Sequence, residues 1–232
     1  MDLSHEQILN FSNAGFGWND TPTLTEIDLR LEPGGFYFLT GPSGSGKTTF
    51  LRMCYLDLMP TFGELTVFGK SADTLDRDGI AKTRRRIGVM HQDCKFLDHL
   101  SLRENILLPL SVSGQKNLKN NSHVDQLLNW VGLTSREFAL PPELSGGEKQ
   151  RAALARAVVA SPELILCDEP TGNVDWEMSE RILALLIQLN RSGRTIVLAT
   201  HDLPLIRSAK SQIKTRVLRL SKGKIKLAGS DL

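Results

Sequence analysis

The stretch that decides the fold is LTGPSGSGKTTFL, residues 39–51. It carries the pattern G-x-x-x-x-G-K-[ST], filled by Gly41, Gly46, Lys47 and Thr48. Ahead of it, GGFYFLT is short, apolar and aromatic-rich, which predicts a buried strand. Behind it, TTFLRMCYLDLM has apolar residues at helical spacing, which predicts a helix. The glycine-rich turn therefore lies between a strand and a helix N-terminus. Glycines let successive backbone N–H groups curve around an anion with no Cβ in the way. The helix adds unpaired N–H groups and a partial positive charge. Such a turn cradles phosphates. Gly41, Pro42, Ser43, Gly44, Ser45 and Gly46 form it, and Thr49 follows as a further nucleotide contact. Lys47 reaches for the β- and γ-phosphates, and the Thr48 hydroxyl for Mg2+. A nucleotide-binding protein is expected; this stretch alone does not say what the energy drives.

Outside the turn the composition is that of an ordinary globular chain. The 232 residues suffice for one large domain or a domain with a subdomain. They are 41% hydrophobic and 23% charged. A net charge of +2 gives no electrostatic case for nucleic acid as the main partner. Cys54, Cys94 and Cys167 lie far apart with no C-x-x-C pair, which argues for a reducing compartment and against a zinc site. No apolar run approaches the ~20 residues that cross a bilayer. MDLSHEQILNF lacks the basic and apolar regions of a signal peptide. A cytosolic protein is expected, held at a membrane only by something else.

Short strands are expected at ILNFSN and within LTEIDLRLEPGGFYFLT, joined by the turn-rich GWNDTP. GELTVFGK and RRIGVMHQD read as further strands. From about residue 96 to 160 the pattern becomes helical, in SLRENILLPL, HVDQLLNWVGL and GGEKQRAALARAVVA. The polar GQKNLKNNS between them reads as a mobile loop. Beyond it come a buried strand (ELILCDEP), an amphipathic helix ended by glycine (SERILALLIQLNRSG), another strand (RTIVLATHD) and a terminal hairpin (TRVLRLSKGKI). The order predicts an α/β fold: a parallel-sheet core with an antiparallel start and an inserted helical lobe. The basic cluster KTRRR, residues 82–86, reads as a solvated helix end rather than a site for anionic lipid headgroups.

LILCDEP puts Asp168 and Glu169 at the C-terminal end of an apolar strand. In open α/β sheets that end shares a crevice with the phosphate turn. Asp168 is expected to hold Mg2+ through water, and Glu169 to polarise the attacking water as a general base. LSGGEKQR opens a helix with Ser145 as N-cap and Glu148 three residues on, so Ser145, Gly146 and Gly147 form a second anion-ready turn. Two phosphate turns in one site would be surplus. A second copy of the chain could supply one of them across an interface.

GPSGSGKTT, HQD with Gln92, LSGGEKQR, LCDEPTGNVD and ATHD stand in the order of the Walker A, Q-loop, signature, Walker B with D-loop, and H-loop segments of ABC-type ATPases. The resemblance covers nearly the whole chain. It implies a P-loop NTPase (RecA-like) core with an N-terminal antiparallel β subdomain and an inserted α-helical subdomain. It further implies a single cassette over 1–232, with core at about 1–95 and 161–232 and helical subdomain at about 96–160. It implies ATP and Mg2+ as cofactors, and a homodimer formed on ATP binding, with each ATP between one chain's Walker A and the other's signature. Under it Gln92 senses Mg2+ and the γ-phosphate and His201 contacts the γ-phosphate, joining Glu169 and Lys47 as catalytic residues. Asp175 crosses the dimer interface, where Glu148 belongs to the signature. The family stacks adenine on an N-terminal aromatic. Phe16 and Trp18 are both open to that role, Phe16 being preferred.

Within the family, RRIGVMHQDCKFLDHLSLRENILLPL, DEPTGNVD, LATHD and Glu148 in place of glutamine resemble the bacterial cell-division branch. His91, Thr49 and Phe50 depart from its usual choices. The branch implies an FtsX-like integral membrane protein as partner, possible division-machinery proteins besides, no nucleic acid, and a peripheral place on the cytoplasmic side of the inner membrane. It implies work on cell-wall hydrolysis. The alternative is the ATPase of a lipoprotein-releasing or macrolide-type exporter, which shares DEPTGN. Phe96, Leu97 and Leu100, set among polar residues, are expected to rim the groove where such a partner docks.

Overall fold

The computed structural model describes residues 7–19, 21–112, 121–172 and 174–228. Its N-terminal part is a curled antiparallel sheet built by β1 (Leu9–Trp18), β2 (Thr21–Leu31), β4 (Phe62–Val67) and the short β5 (Lys70–Ser71), in the order β2-β1-β4-β5. Phe68 and Gly69, with φ of 47° and 73°, make the tight β4–β5 turn. The second sheet has the order β10-β9-β3-β8-β7-β6, from β3 (Phe36–Thr40), β6 (Ile87–Met90), β7 (Leu164–Asp168), β8 (Thr195–Ala199), β9 (Arg216–Ser221) and β10 (Lys224–Leu227). All its pairs are parallel except β9–β10.

All five residues of β3, of β7 and of β8 are buried, as a sheet covered on both faces requires. Alternation along these strands sorts side chains into two cores. Phe36 and Phe38 face a core shared with α3 (Leu102–Val112), α4 (Asn121–Trp130), α5 (Gly146–Val158), α6 (Trp176–Arg191) and α7 (Leu203–Lys210). Tyr37 and Leu39 face a core shared with α1 (Lys47–Cys54) and the antiparallel sheet. There Phe50 of α1 meets Phe11 of β1 with ring centroids 5.2 Å apart. Phe50 is fully buried, so truncating it to alanine would cost about 3–5 kcal/mol. The helix α1 is thus clamped between two sheets, and its N-terminus opens at the C-terminal end of the parallel one.

Several expectations change. The first helix stops at Cys54 instead of continuing to Met59, because Leu56 turns into the left-handed region at φ 61°. Leu58 and Met59 still pack on the same core, which keeps the sequence apolar beyond the helix. Most of GWNDTP is strand rather than turn: β1 runs through Gly17 to Trp18, and β2 begins at Thr21. The terminal hairpin is present, but its first strand β9 also pairs in parallel with β3 and so belongs to the central sheet. Residues 96–101 are irregular, and the helical insertion begins at Leu102. Residues 114–120 of the polar GQKNLKNNS lie outside the described residues.

KTRRR closes α2 (Arg77–Arg84). Arg84 donates to the Tyr55 and Leu56 carbonyls. Arg86 forms a two-pronged ion pair with Glu163 and lies 3.8 Å over the Phe68 ring. These engagements favour the helix-end reading of the cluster.

Candidate functional site

The turn after β3 is held open by backbone geometry. Gly44 and Gly46 have φ of 73° and 103°, which disfavours side chains. A Cβ on Gly41 would lie 2.4 Å from the Leu220 carbonyl oxygen, so the turn must run against β9. From it α1 starts with Lys47. The ammonium of Lys47 donates to the carbonyls of Gly41 and Pro42 at 3.0 and 3.3 Å, and sits 3.6 Å from Glu169 Oε1. Lys47 is 9% exposed, so its charge is concentrated on the mouth of the turn rather than spread into solvent.

β7 delivers the acids. Thr48 Oγ1 donates to Asp168 Oδ2 at 2.7 Å, joining the first turn of α1 to the end of β7. Asp168 is 9% exposed, and burial, with the neighbouring Glu169 charge adding to it, pushes its carboxyl above the usual range against the pull of Thr48 and Lys47. A cation beside Asp168 would relieve that cost. The hydroxyl and carboxylate oxygens of Thr48 and Asp168 are the hard donors Mg2+ takes alongside phosphate and water. Among the described residues no three His, Cys, Asp or Glu side chains form a cage for a metal held by protein alone.

Glu169 is the one residue here in a sterically demanding backbone state, at φ 48°. The turn places its carboxylate between two bases: Oε1 faces Lys47 and Oε2 lies 3.0 Å from His201 Nδ1. His201, after β8, has a side chain 75% exposed against 13% for Glu169. The ring therefore offers its other edge to the cleft mouth.

The cleft so formed encloses about 590 Å3 and is lined by Gly41, Pro42, Ser43, Gly44, Gly46, Lys47, Thr48, Thr49, Gln92, Asp168, Glu169 and His201. Residues from four separate sequence segments meet there. Ser45 stays behind the turn, its hydroxyl buried and without a hydrogen-bond partner. Gly172, within LCDEPTGNVD, also lines the cleft, and so does Thr23, which no motif marks. Thr23 enters only because β2 runs beside Gly46, a consequence of how the two sheets stack.

The second anion-ready turn lies outside this cleft. Ser145 caps α5, its N–H donating to Glu148 Oε2 at 2.8 Å while its hydroxyl accepts from the Glu148 N–H at 3.3 Å. Arg136 holds the other Glu148 oxygen at 3.0 Å. Gly147 packs on Met178, where a Cβ would lie 3.1 Å from the methionine methyl. Ser145 and Gly146 are exposed. Asp175, also exposed, caps α6 by accepting from the Met178 N–H at 2.8 Å.

The two candidate adenine platforms differ in exposure. Phe16 is 7% exposed and belongs to the core between α1 and the antiparallel sheet. Trp18 packs edge-on against it at 4.9 Å and is 50% exposed. Neither ring lines the cleft, but Trp18 pairs with Thr21, and Thr23, two residues on, does line it.

The three candidate docking residues differ in exposure as well. Leu97 is exposed and Leu100 half-buried, while Phe96 packs on the helical core. The groove between the central sheet and the helical lobe, about 570 Å3, is lined instead by Val89, Lys95, Pro109, Val112 and Arg156, among others. Val112 is 81% exposed.

A family model described as ABC transporter matches residues 24–172. The cell division ATP-binding protein FtsE of Mycobacterium tuberculosis is 40% identical over 204 residues, which is 88% of this chain and 87% of that protein. FtsE of Bacillus subtilis is 36% identical over 84% of this chain and 86% of its own length. The methionine import ATP-binding protein MetN 2 of Burkholderia mallei is 42% identical over 80% of this chain but 47% of its own length. Among solved structures, the ATP-binding cassette MJ0796, as a dimer in a post-hydrolysis state bound to ADP and Pi, superposes with a TM-score of 0.84 at 30% identity. That match covers 94% of this chain and 96% of the other.

Proposed function

The chain belongs to the ABC transporter family of ATPases, and from that premise we propose that it is the motor of a cell-division complex. In this reading two copies close on ATP and Mg2+ and drive an FtsX-like integral membrane protein that controls cell-wall hydrolysis. The observation that carries it is similarity to FtsE proteins over most of both lengths, 88% and 87% for the Mycobacterium tuberculosis relative. Among the described residues no helix is long and apolar enough to cross a membrane, so the partner would hold the chain at the inner membrane. A second reading, the ATPase of a transport system, draws on the 42% identity to MetN 2, a match that spans less than half of that protein.

The chemistry follows from the chain's own groups. The turn and Lys47 neutralise the β- and γ-phosphates. Thr48 and Asp168 would hold Mg2+, with Gln92 at the same cleft, and the ion would supply positive charge to the phosphate oxygens. Glu169 accepts the proton of the attacking water, and His201 holds that carboxylate in place and contacts the γ-phosphate. Ser145, Gly146 and Gly147 of the second copy close the site, with Asp175 at the seam. Trp18 supplies the adenine platform.

Co-expression tests the reading. The chain should co-purify with a four-span FtsX-like protein from the same genome, and its depletion should block division. Co-purification instead with a substrate-translocating permease, and normal division on depletion, would favour transport.

A further inference from the structure

The mechanism above leaves Arg156 unused. It stands near the C-terminal end of α5, the helix whose first turn carries Ser145 and Gly147. Its guanidinium is half-buried, and among the described residues no carboxylate pairs with it. It donates instead to two consecutive backbone carbonyls, those of Cys94 and Lys95, the latter at 2.9 Å. It also lies 4.5 Å over the ring of Phe96. Burial without an acid partner lowers its pKa, a cost that only its hydrogen bonds and the ring offset.

The two carbonyls belong to an unusual piece of chain. Cys94 and Lys95 are both in the left-handed region, at φ 56° and 39°. Consecutive non-glycine residues there do not hold that shape unaided. The bend begins two residues after Gln92, which lines the nucleotide cleft. The planar guanidinium fork, which can donate in two directions while stacking on a ring, matches this arrangement; an ammonium does not.

We propose that Arg156 is a positioning residue that clasps the bend at residues 94–96 and so fixes where Gln92 stands in the cleft. Because Arg156 and Ser145 ride on one helix, displacement of the signature end of α5 is transmitted to the Gln92 loop through this clasp. The role of Gln92 in hydrolysis rests on the function proposed above; the clasp itself rests on the geometry. It gives the helical lobe a direct hold on a hydrolysis-site residue, in addition to any contact made by a second copy.

The test uses the full chain. Arg156→Gln and Arg156→Lys are each made alone and together with Gln92→Ala. Loss of positioning should lower kcat about 10- to 100-fold while the KM for ATP stays within about threefold. Arg156→Lys keeps the charge and should not restore the rate. The Arg156→Gln, Gln92→Ala double variant should be no slower than Gln92→Ala. Amide hydrogen exchange at residues 92–97 should accelerate in Arg156→Gln and stay unchanged at 41–48. Losses in kcat that multiply, full rescue by lysine, or unaltered exchange at 92–97 would each overturn the clasp. Should Arg156→Gln fail to fold, exchange in Arg156→Lys decides the matter. If Gln92→Ala alone leaves kcat unchanged, the role given to Gln92 fails, and the exchange measurement still decides the clasp.

Discussion

Replacing Glu169 with glutamine changes one atom and removes one function. The amide keeps an acceptor for His201, now 3.0 Å from Oε2, and the backbone at φ 48° need not shift. What goes is the negative charge 3.6 Å from Lys47 and the capacity to take a proton. General-base contributions run about 10²–10⁴-fold, or about 2.7–5.4 kcal/mol at 1.36 kcal/mol per tenfold. Losing the charge works the other way on binding. Lys47 no longer faces a competing carboxylate, and a third anion is gone from beside Asp168 and the phosphates, so ATP should bind at least as tightly. The expected variant binds ATP, hydrolyses it slowly and accumulates as an ATP-bound dimer. Steady-state phosphate release and size-exclusion chromatography with and without Mg-ATP report the two halves of this. A kcat within about threefold of the parent, near 0.7 kcal/mol, would mean that Glu169 is not the base.

Other outcomes follow from the same geometry. Ser145→Arg removes a helix cap worth about 1 kcal/mol and puts bulk on an exposed turn. Each chain should still bind ATP through Lys47, while ATP-driven dimerisation fails; light scattering of Ser145→Arg mixed with Lys47→Ala, where one composite site stays intact, should recover a heterodimer. Trp18→Ala should weaken ATP binding about 3- to 10-fold with little loss of stability, whereas Phe16→Ala should cost about 3–5 kcal/mol in denaturant melts. Val112→Asp should abolish co-purification with the membrane partner and leave nucleotide affinity untouched. Asp168 has a raised carboxyl pKa, so its contribution to stability is present below the unfolded pKa and is lost as pH rises through the folded one. Asp168→Asn should therefore raise the nucleotide-free melting temperature at pH 7 but not at pH 3, while Mg-ATP stabilises the variant less than the parent.

The strand–turn–helix around Lys47 could be read from sequence because each part carries its own local signal, and the parts are contiguous. Asp168 and Glu169 were also legible, since an acidic pair ending an apolar strand has few other uses beside a phosphate turn. The relative exposure of the two candidate platforms, Phe16 and Trp18, was not. Phe16 and Trp18 are two apart and would share a face in a regular strand. β1 is broken by register shifts between Phe11 and Ala14, Ala14 and Phe16, and Phe16 and Gly17. The two rings nonetheless pack edge-on, 4.9 Å apart; they differ because Trp18 is the last residue of β1 and 50% exposed, while Phe16 sits further into the core at 7%. The burial of Phe96 and Leu100 was not legible either. Phe96 and Leu100 look like exposed apolar residues when read beside Asp93, Lys95, Asp98 and His99. Instead Phe96 lies under Arg156, a residue sixty positions away in the chain that no local pattern points to.

The surface around the second anion-ready turn argues for a site completed from outside. One chain gathers the phosphate turn, Gln92, both acids and His201 into a single cleft, yet the cleft stands open on the side of the γ-phosphate contacts, where His201 is 75% exposed. The same chain builds an N-terminal helix turn at Ser145–Gly147 with reciprocal capping and a glycine packed on Met178, then leaves Ser145 and Gly146 in solvent. Trp176, 50% exposed beside Asp175, adds an aromatic face on the neighbouring helix end. Solvation of an anion by free N–H groups is worth little in water and much more once water is displaced. In the dimer proposed above, a second copy's exposed turn would come to the open side of the first copy's cleft. Two such contacts related by a two-fold axis would bury both turns at once, which ties closure of either site to occupation by ATP.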